Sequence, residues 1–525
     1  MTVMAARIRT ILRALRAEWV WVSVVSAMVL ATTIVIVLWL YFTTPVEYQY
    51  SGFIYSWDDG SSYLATMREG MRGAWLYTLP YSADPGQSFP LFVHYIFLGH
   101  VSAWLRLEPI VVYHLARLAG GALLLASLYR FISRFCAEVR ERRLAFLLVV
   151  CGSGFGWLAL PLLRRPTPDL WQMEVFPYLS ILANVHFPWA MSAFLWLIDS
   201  LTDEGIRTDM RDWMRLTIGV MLVSVLQPYG LVIVGLVSAV WLGVRGWRER
   251  GLPRVLLMRF VVVGFLGGLF ALYYRWMLQT IPSFAAWDKQ DVTTSPPPGE
   301  YLVAGGVILP LALAGLFQAV RRIRQERDRN ALLLSLWAVI SCALIYLPVG
   351  HQRRFAFALM IPVAILAVQG LTQFRRLNTN LIRAGFVMFA SLTNIFLLLI
   401  AFIAAQAHPS NLFFTRSEWN GLMYLRRSPP DGVVLSSPEM GLFIPAWADQ
   451  RVVYGHPNET LDAATNRELV IRFFQGMPAH SEDWLNAVDY IYVGPRERRL
   501  GSPAIPPVFK AAFVDGDVTI YVRQR

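Results

Sequence analysis

Trp57-Asp58-Asp59-Gly60-Ser61-Ser62-Tyr63-Leu64-Ala65-Thr66-Met67-Arg68-Glu69-Gly70 decides how the rest of the chain is read. Two adjacent carboxylates, an aromatic ring and an Arg-Glu pair stand just beyond the first long apolar segment, in a chain where acids are scarce. Asp58 or Asp59 suits the N-cap of a helix starting near Ser61, a helix that carries Tyr63, Met67 and Gly70 near one face. The same pair suits a general base, or a divalent cation (Mg, Mn or Zn) held by oxygen ligands. The residues alone leave these roles open.

The chain around this stretch has the composition of a membrane protein. Of 525 residues, 56% are hydrophobic and only 16% are charged, too apolar a mixture for a soluble domain of that length. The net charge of +12 would suit nucleic acid. Lys and Arg instead recur in short clusters between apolar segments, as cytoplasmic loops require, and no recognition motif accompanies them. Nucleic acid is therefore excluded as a partner, and membrane lipids are expected. Cys136, Cys151 and Cys342 imply no outer disulfide framework. Arg7, Arg9, Arg13 and Arg16 precede an apolar run from Trp19 to Phe42, longer than a signal-peptide core and without a small-residue cleavage site. This predicts an uncleaved first transmembrane helix with its N-terminus in the cytoplasm.

Residues 44–108 then form a first outer loop, and the cluster Arg130, Arg134, Arg140, Arg142 and Arg143 makes 109–131 the return helix. The apolar piece Phe89 to Leu107 must be horizontal or re-entrant, because a full crossing would invert every later loop. Spans at 144–163, 187–201, 216–227, 229–244, 255–277, 301–320, 332–347, 355–371 and 381–405 bring the expected total to about eleven. They leave outer loops at 164–186 and 278–300, a tight turn at Gln227-Pro228-Tyr229, and a cytoplasmic loop with Arg375 and Arg376. The run Ser295-Pro296-Pro297-Pro298-Gly299 is expected to be non-helical. From about His408 the pattern turns soluble: β-rich runs at 432–435, 452–454, 490–494 and 518–522 and a helical stretch at 461–474 predict a small α/β domain. The expected architecture is a polytopic α-helical membrane domain over 1–407, in the cytoplasmic (inner) membrane, with an extracytoplasmic α/β domain over 408–525.

Asp59 followed four residues later by Tyr63, then Arg68-Glu69 and Gly73-Ala74-Trp75, resembles the first outer loop of the GT-C superfamily of lipid-linked-sugar glycosyltransferases. That superfamily includes protein O-mannosyltransferases and bacterial lipid A aminoarabinose transferases. The resemblance implies a catalytic Asp in this loop and helices lying along the membrane surface, which matches the re-entrant piece reached from charge alone. Asp59 is the better match to the catalytic position and Asp58 the second, with Tyr63, Arg68 and Glu69 in support. It further implies a polyprenyl-phosphate sugar donor, a glycan, lipid or protein acceptor, and inversion at the anomeric carbon. A single base is enough, because phosphate leaves without a strong general acid. A second acidic residue from the next outer loop is implied too, sharing a metal or positioning the acceptor. Asp169, Glu174 and His186 are the candidates, and Asp59, Glu174 and His186 the implied metal set.

Gly350-His351-Gln352-Arg353-Arg354 falls outside by this topology, against the positive-inside trend and at an expected helix start. Paired arginines grip phosphate bidentately or snorkel to headgroups. The family binds its carrier phosphate with a basic residue near this late loop, which implies Arg353, Arg354 and His351. Some relatives have a Lys where this chain has Gln87-Ser88-Phe89-Pro90, so phosphate binding rests more on the arginines. Arg117 in a membrane span is costly unless paired and marks a site neighbour. His94, His100 and His114 suit packing, Gly264 and Gly268 suit a close helix contact, and Asn458-Glu459-Thr460 matches a glycosylation sequon. Two other readings remain: a transporter or flippase of lipid-linked saccharides, and a non-catalytic envelope assembly protein.

Overall fold

Hydropathy and charge translate into helices wherever a span is expected. The structure, a computed structural model, describes residues 2–203, 209–374, 379–477 and 483–524, with side chains of the first helix from residue 16 onward. Arg375 and Arg376, and the side chains of Arg7, Arg9 and Arg13, lie outside the described residues. Six described helices are long and apolar enough to cross a membrane: 16–43, 109–132, 139–163, 229–249, 254–280 and 352–372. Two bent pairs, 298–305 with 308–325 (93°) and 380–390 with 392–405 (43°), bring the number to eight. The remaining three expected spans are His186–Thr202, Met210–Leu226 and Arg329–Leu344, of 17, 17 and 16 residues. At 1.5 Å per residue these reach about 24–26 Å, short of a hydrocarbon layer of about 30 Å. Length and composition thus support six to eight spans where eleven were expected.

The chain forms two compact units, one of residues 1–35, 116–271 and 293–400, the other of residues 36–115, 272–292 and 401–525. Three helices of the first unit are broken, and the breaks hydrogen-bond to one another. Ser153 donates through its N–H and its hydroxyl to the Ala390 carbonyl (2.6 and 2.7 Å), and the Phe155 N–H donates to Val303 (2.9 Å). Thr393 Oγ1 donates to the Gly154 carbonyl (2.9 Å), and Asn394 Nδ2 to that of Cys151 (2.8 Å). Backbone groups freed inside a membrane must find such partners, since no water is there to take them.

The second unit is built on α2 (Trp57–Met71) and α3 (Val93–Leu105), which follow α1 (Thr2–Thr43). With 13 residues α3 spans about 20 Å, too short to cross. It lies across α2 at a glycine crossing: a Cβ on Gly70 would stand 2.0 Å from the Ile96 carbonyl oxygen, and one on Gly99 would stand 2.0 Å from that of Met67. The C-terminal part is a five-stranded sheet of β3 (Val433–Leu435), β4 (Arg451–Val452), β5 (Tyr490–Val493), β6 (Phe509–Asp515) and β7 (Val518–Arg523), in the order β4-β3-β5-β7-β6. β3 runs parallel to β4 and β5, whereas β7 is antiparallel to both its neighbours. Val470 and Phe474 of the helix Ala463–Phe474 pack into its core with Val433, Leu435 and Ile491. Chain-distant pieces join here. β1 (Tyr48–Tyr50) pairs antiparallel with β2 (Phe413–Thr415), and the exposed side of β4 is covered by residues 80–83, through Val452 N–H to Pro80 O (3.2 Å) and Arg451 to Ala83 O (2.8 Å).

Two local expectations change. Pro298 and Gly299 are not in a non-helical run but open the helix Pro298–Gly305, because the first helical position needs no N–H. Gly264 and Gly268 make no close helix contact: nothing stands within 4 Å of a Cβ at either, on a largely exposed helix. Gly70→Ala is therefore expected to lower stability by about 1–3 kcal/mol through overpacking. Gly264→Ala should be neutral or stabilise by up to about 1 kcal/mol. Thermal unfolding of the purified variants beside wild type measures both.

Candidate active site

α2 is unusual for a buried helix, because its residues Gly60 to Gly70 are all buried although five of them are Ser, Thr, Arg or Glu. Each of those polar groups has a partner. Ser62 donates to Glu459 Oε1, Thr66 to the Ser62 carbonyl (3.0 Å), and Arg68 to the Ala446 carbonyl (3.1 Å) and to Glu108 (2.9 Å). Glu69 accepts from the N–H (3.0 Å) and the hydroxyl of Thr78. The Arg68-Glu69 pair read from the sequence is thus not a pair, since adjacent helical residues point to different faces.

Both carboxylates lie in the first turn of α2, where the helix dipole favours anions. The chain enters through Ser56 in the left-handed region (φ +48°), uncommon for a residue with a side chain. Ser56 does not cap the helix with its side chain; its hydroxyl donates instead to Asp59 Oδ2 (2.9 Å). Asp58 is exposed and Asp59 half-buried. Burial, then the charge of Asp58, raises the Asp59 pKa to about 6, with Glu459 adding to the rise and His456 and Ser56 opposing it.

His456 and Glu459 are the residues that sequence reasoning missed, and both are buried. Glu459 accepts from the Tyr77 hydroxyl (2.7 Å) as well as from Ser62. The Tyr81 ring lies against His456 (5.7 Å between centroids), and its hydroxyl donates to the Leu442 carbonyl (3.0 Å). Burial and the nearby Glu459 hold both phenols protonated, well above the usual tyrosine range. The loop is fixed by Thr460, whose Oγ1 accepts from the N–H groups of Gly455 and His456 (3.3 and 3.2 Å), so the sequon threonine is buried and engaged. Four of these residues share one short segment, Gly455-His456-Pro457-Asn458-Glu459-Thr460.

The supporting residues divide. Tyr63 stacks on Tyr95 (4.1 Å, 13°), which stacks in turn near Tyr113 (6.3 Å, 12°). His100 and His114 bond the carbonyls of Ala74 and Gly52, each at 2.9 Å, and His94 lies against Tyr95 (4.1 Å).

In the other unit, Glu174 is buried and accepts from Arg353 Nε (3.0 Å), while Arg353 lies over the Trp171 ring (5.0 Å). The Arg353 N–H donates to the Thr293 carbonyl (3.2 Å). Arg354 lies over Tyr229 (5.7 Å), which also contacts His351 (5.7 Å). These residues are not at an α-helix N-terminus as expected but in a 3-10 turn, Gln352–Ala356, ahead of the helix Met360–Thr372. Positive φ at Ala358 (60°) separates the two. Asp169 is fully buried and braces a helix break, accepting from the N–H groups of Gly154 and Gly156 (3.0 Å each) and from Thr167 (2.6 Å). Arg117 donates to the carbonyls of Ile181 (2.6 Å), Leu182 (3.0 Å) and Thr33 (3.1 Å), which satisfies its buried charge. His186 opens the helix His186–Thr202 against the Phe187 ring (4.1 Å). Among the described residues no group of three or more His, Cys, Asp or Glu could hold a metal ion.

No family model matches the chain, and no curated protein matches it in sequence. Solved structures do match. ArnT from Cupriavidus metallidurans, bound to undecaprenyl phosphate, is 13% identical with a TM-score of 0.53 over 96% of this chain and 97% of that one. The Archaeoglobus fulgidus oligosaccharyltransferase in complex with Zn and sulfate is 14% identical, with a TM-score of 0.51 over 90% of this chain and 67% of that one. AglB from the same organism, with an inhibitory peptide and a dolichol-phosphate, is 13% identical with a TM-score of 0.51 over 90% and 69%. ArnT and AglB are GT-C glycosyltransferases, and this chain has the GT-C fold.

Asp169→Ala should cost about 1–3 kcal/mol for each buried donor left unpaired, and Asp169→Asn should cost less. Unfolding midpoints measure the loss.

Proposed function

We propose that the chain is a membrane glycosyltransferase that moves a sugar from a polyprenyl-phosphate-linked donor to an acceptor hydroxyl, with inversion, at the outer face of the cytoplasmic membrane. The observation that carries this reading is Asp59: a half-buried carboxylate oriented by Ser56, with a pKa of about 6, in a chain of GT-C fold. The matching structures support the donor class, ArnT being bound to undecaprenyl phosphate and AglB to a dolichol-phosphate.

In this reading Asp59 accepts the proton of the acceptor hydroxyl as its oxygen attacks the anomeric carbon. The bond from that carbon to the phosphate oxygen breaks on the opposite side, and its electrons leave with the carrier phosphate. Asp58 is the second carboxylate of the turn. His456 and Glu459 position and tune the base; neither is assigned a proton transfer. Arg353 takes the carrier phosphate through its terminal nitrogens while Glu174 holds its Nε, and Arg354 and His351 assist. Residues 1–407 form the membrane domain with a cytoplasmic N-terminus, and residues 408–525 the outer α/β domain. A divalent cation has no step in this mechanism.

A transporter of lipid-linked saccharides is the second reading. The bent spans favour it, since transporters bind at broken helices. Those breaks are closed by their own hydrogen bonds and by Asp169, whereas Asp59 and Glu69 on α2 have tyrosines and a second buried acid, Glu459, beside them.

The test is transfer of radiolabelled sugar from polyprenyl-phosphate donors by the purified protein. Asp59→Asn should lose about 10²–10⁴-fold in rate, and Arg353→Ala should weaken donor binding. Full transfer by folded Asp59→Asn would reject the assignment of the base. Because a base must be ionised, the rate should rise with pH through about 6 and be lost as pH falls below it. The acid limb of the pH–rate profile reads that value.

A further inference from the structure

A cavity lies in the unit that holds none of the α2 residues. It measures about 620 Å³, within the range of ligand sites. Trp19, Ser127, Arg130, Arg134, Asp199 and Arg215 give it its polar character. These residues fall at one set of helix ends. Trp19 is in the first turn of the span that begins at Arg16, Arg130 in the last turn of Pro109–Ile132, Asp199 in the last turn of His186–Thr202, and Arg215 near the start of Met210–Leu226. The cavity is therefore at the level of a membrane surface, where an indole such as Trp19, 43% exposed, commonly sits.

Its charges are unequally spent. Arg134 is committed to Asp199 (3.1 Å), to Thr202 Oγ1 and O (2.9 and 3.0 Å) and to Asn330 (3.0 Å). Trp196 donates its indole N–H to Ser127 (3.2 Å). Arg130 also acts on Asp199 through its charge, and Asp203 is the second acid of the lining. Three guanidinium groups thus face two carboxylates, one of which Arg134 already neutralises. A roomy site in which guanidinium groups outnumber carboxylates suits a group with several acceptor oxygens, which Arg grips bidentately.

We propose that this cavity binds a phosphate-bearing ligand, presented by an anionic phospholipid headgroup or as a soluble phosphomonoester, through Arg130 and Arg215 with Arg134 as a fixed wall. The site is separate from the proposed chemistry at Asp59 and does not depend on it.

The full-length protein, purified in neutral detergent, tests this by thermal unfolding with three probes: phosphatidylglycerol micelles, phosphatidylcholine micelles and glycerol 3-phosphate. Wild type should be stabilised by phosphatidylglycerol or by glycerol 3-phosphate, and less by phosphatidylcholine. The shift should be lost in R130Q/R215Q, reduced in each single variant, and retained in R321Q/R324Q, which removes the same charge at exposed positions. A response to phosphatidylglycerol alone assigns the lipid, and an equal response to glycerol 3-phosphate assigns the soluble ligand. No shift with either phosphate probe, or an undiminished shift in the single variants, overturns the proposal. The single variants keep the test decisive if the double variant does not fold.

Discussion

A helix buried on all sides that carries serine, threonine, arginine and glutamate can exist only if each polar group is given a partner, because an unpaired one costs its whole desolvation energy. α2 is such a helix, and much of its unit is arranged to meet that demand. Thr78 supplies Glu69, Glu108 and the Ala446 carbonyl supply Arg68, and Glu459 supplies Ser62. Two of those four suppliers come from the C-terminal sequence. The sheet domain is therefore part of what makes α2 possible, and the β1–β2 pair and the covered edge of β4 are further ties of the same kind.

The membrane-spanning unit solves a different problem. Its broken helices expose backbone groups where water is absent, and it spends polar side chains on closing them. Asp169, Thr393, Asn394 and Arg117 all bond main-chain groups. That use separates them from Glu174, whose Oε1 is engaged by the side chain of Arg353 rather than by backbone. A carboxylate saturated by N–H groups is a brace, and one that holds a guanidinium in place leaves that guanidinium's other nitrogens able to act.

What could be read beforehand follows from the range of the forces involved. The short α3 was legible because loop charge and span length are local properties, and the strands Val433–Leu435 and Tyr490–Val493 because a short run rich in β-branched and aromatic residues is a local signal too. β6 was missed even though Asp515-Gly516 marks a hairpin, Gly516 taking φ +54°. Arg68 and Glu69 were misread as a pair because adjacency in sequence is not adjacency on a helix. His456 and Glu459 were out of reach for a stronger reason. Nothing near residue 59 signals that residues almost 400 positions later will supply the neighbouring charges, since only the sheet topology brings them there.

The same topology distinguishes Asp59 from Asp58. Both share a helix turn and a dipole, yet one is exposed and the other half-buried, held by Ser56 and within the influence of His456 and Glu459. Burial and two like charges make ionisation harder, while the imidazole and the hydroxyl make it easier. The balance near 6 gives a carboxylate that is still mostly ionised at neutral pH but more basic than a solvated aspartate. In the proposed reaction a base gains from that compromise. Of the groups that set this balance, His456 and Glu459 both belong to the C-terminal part of the chain, so that part bears on the proton affinity of the carboxylate as well as on the folding of the helix that carries it.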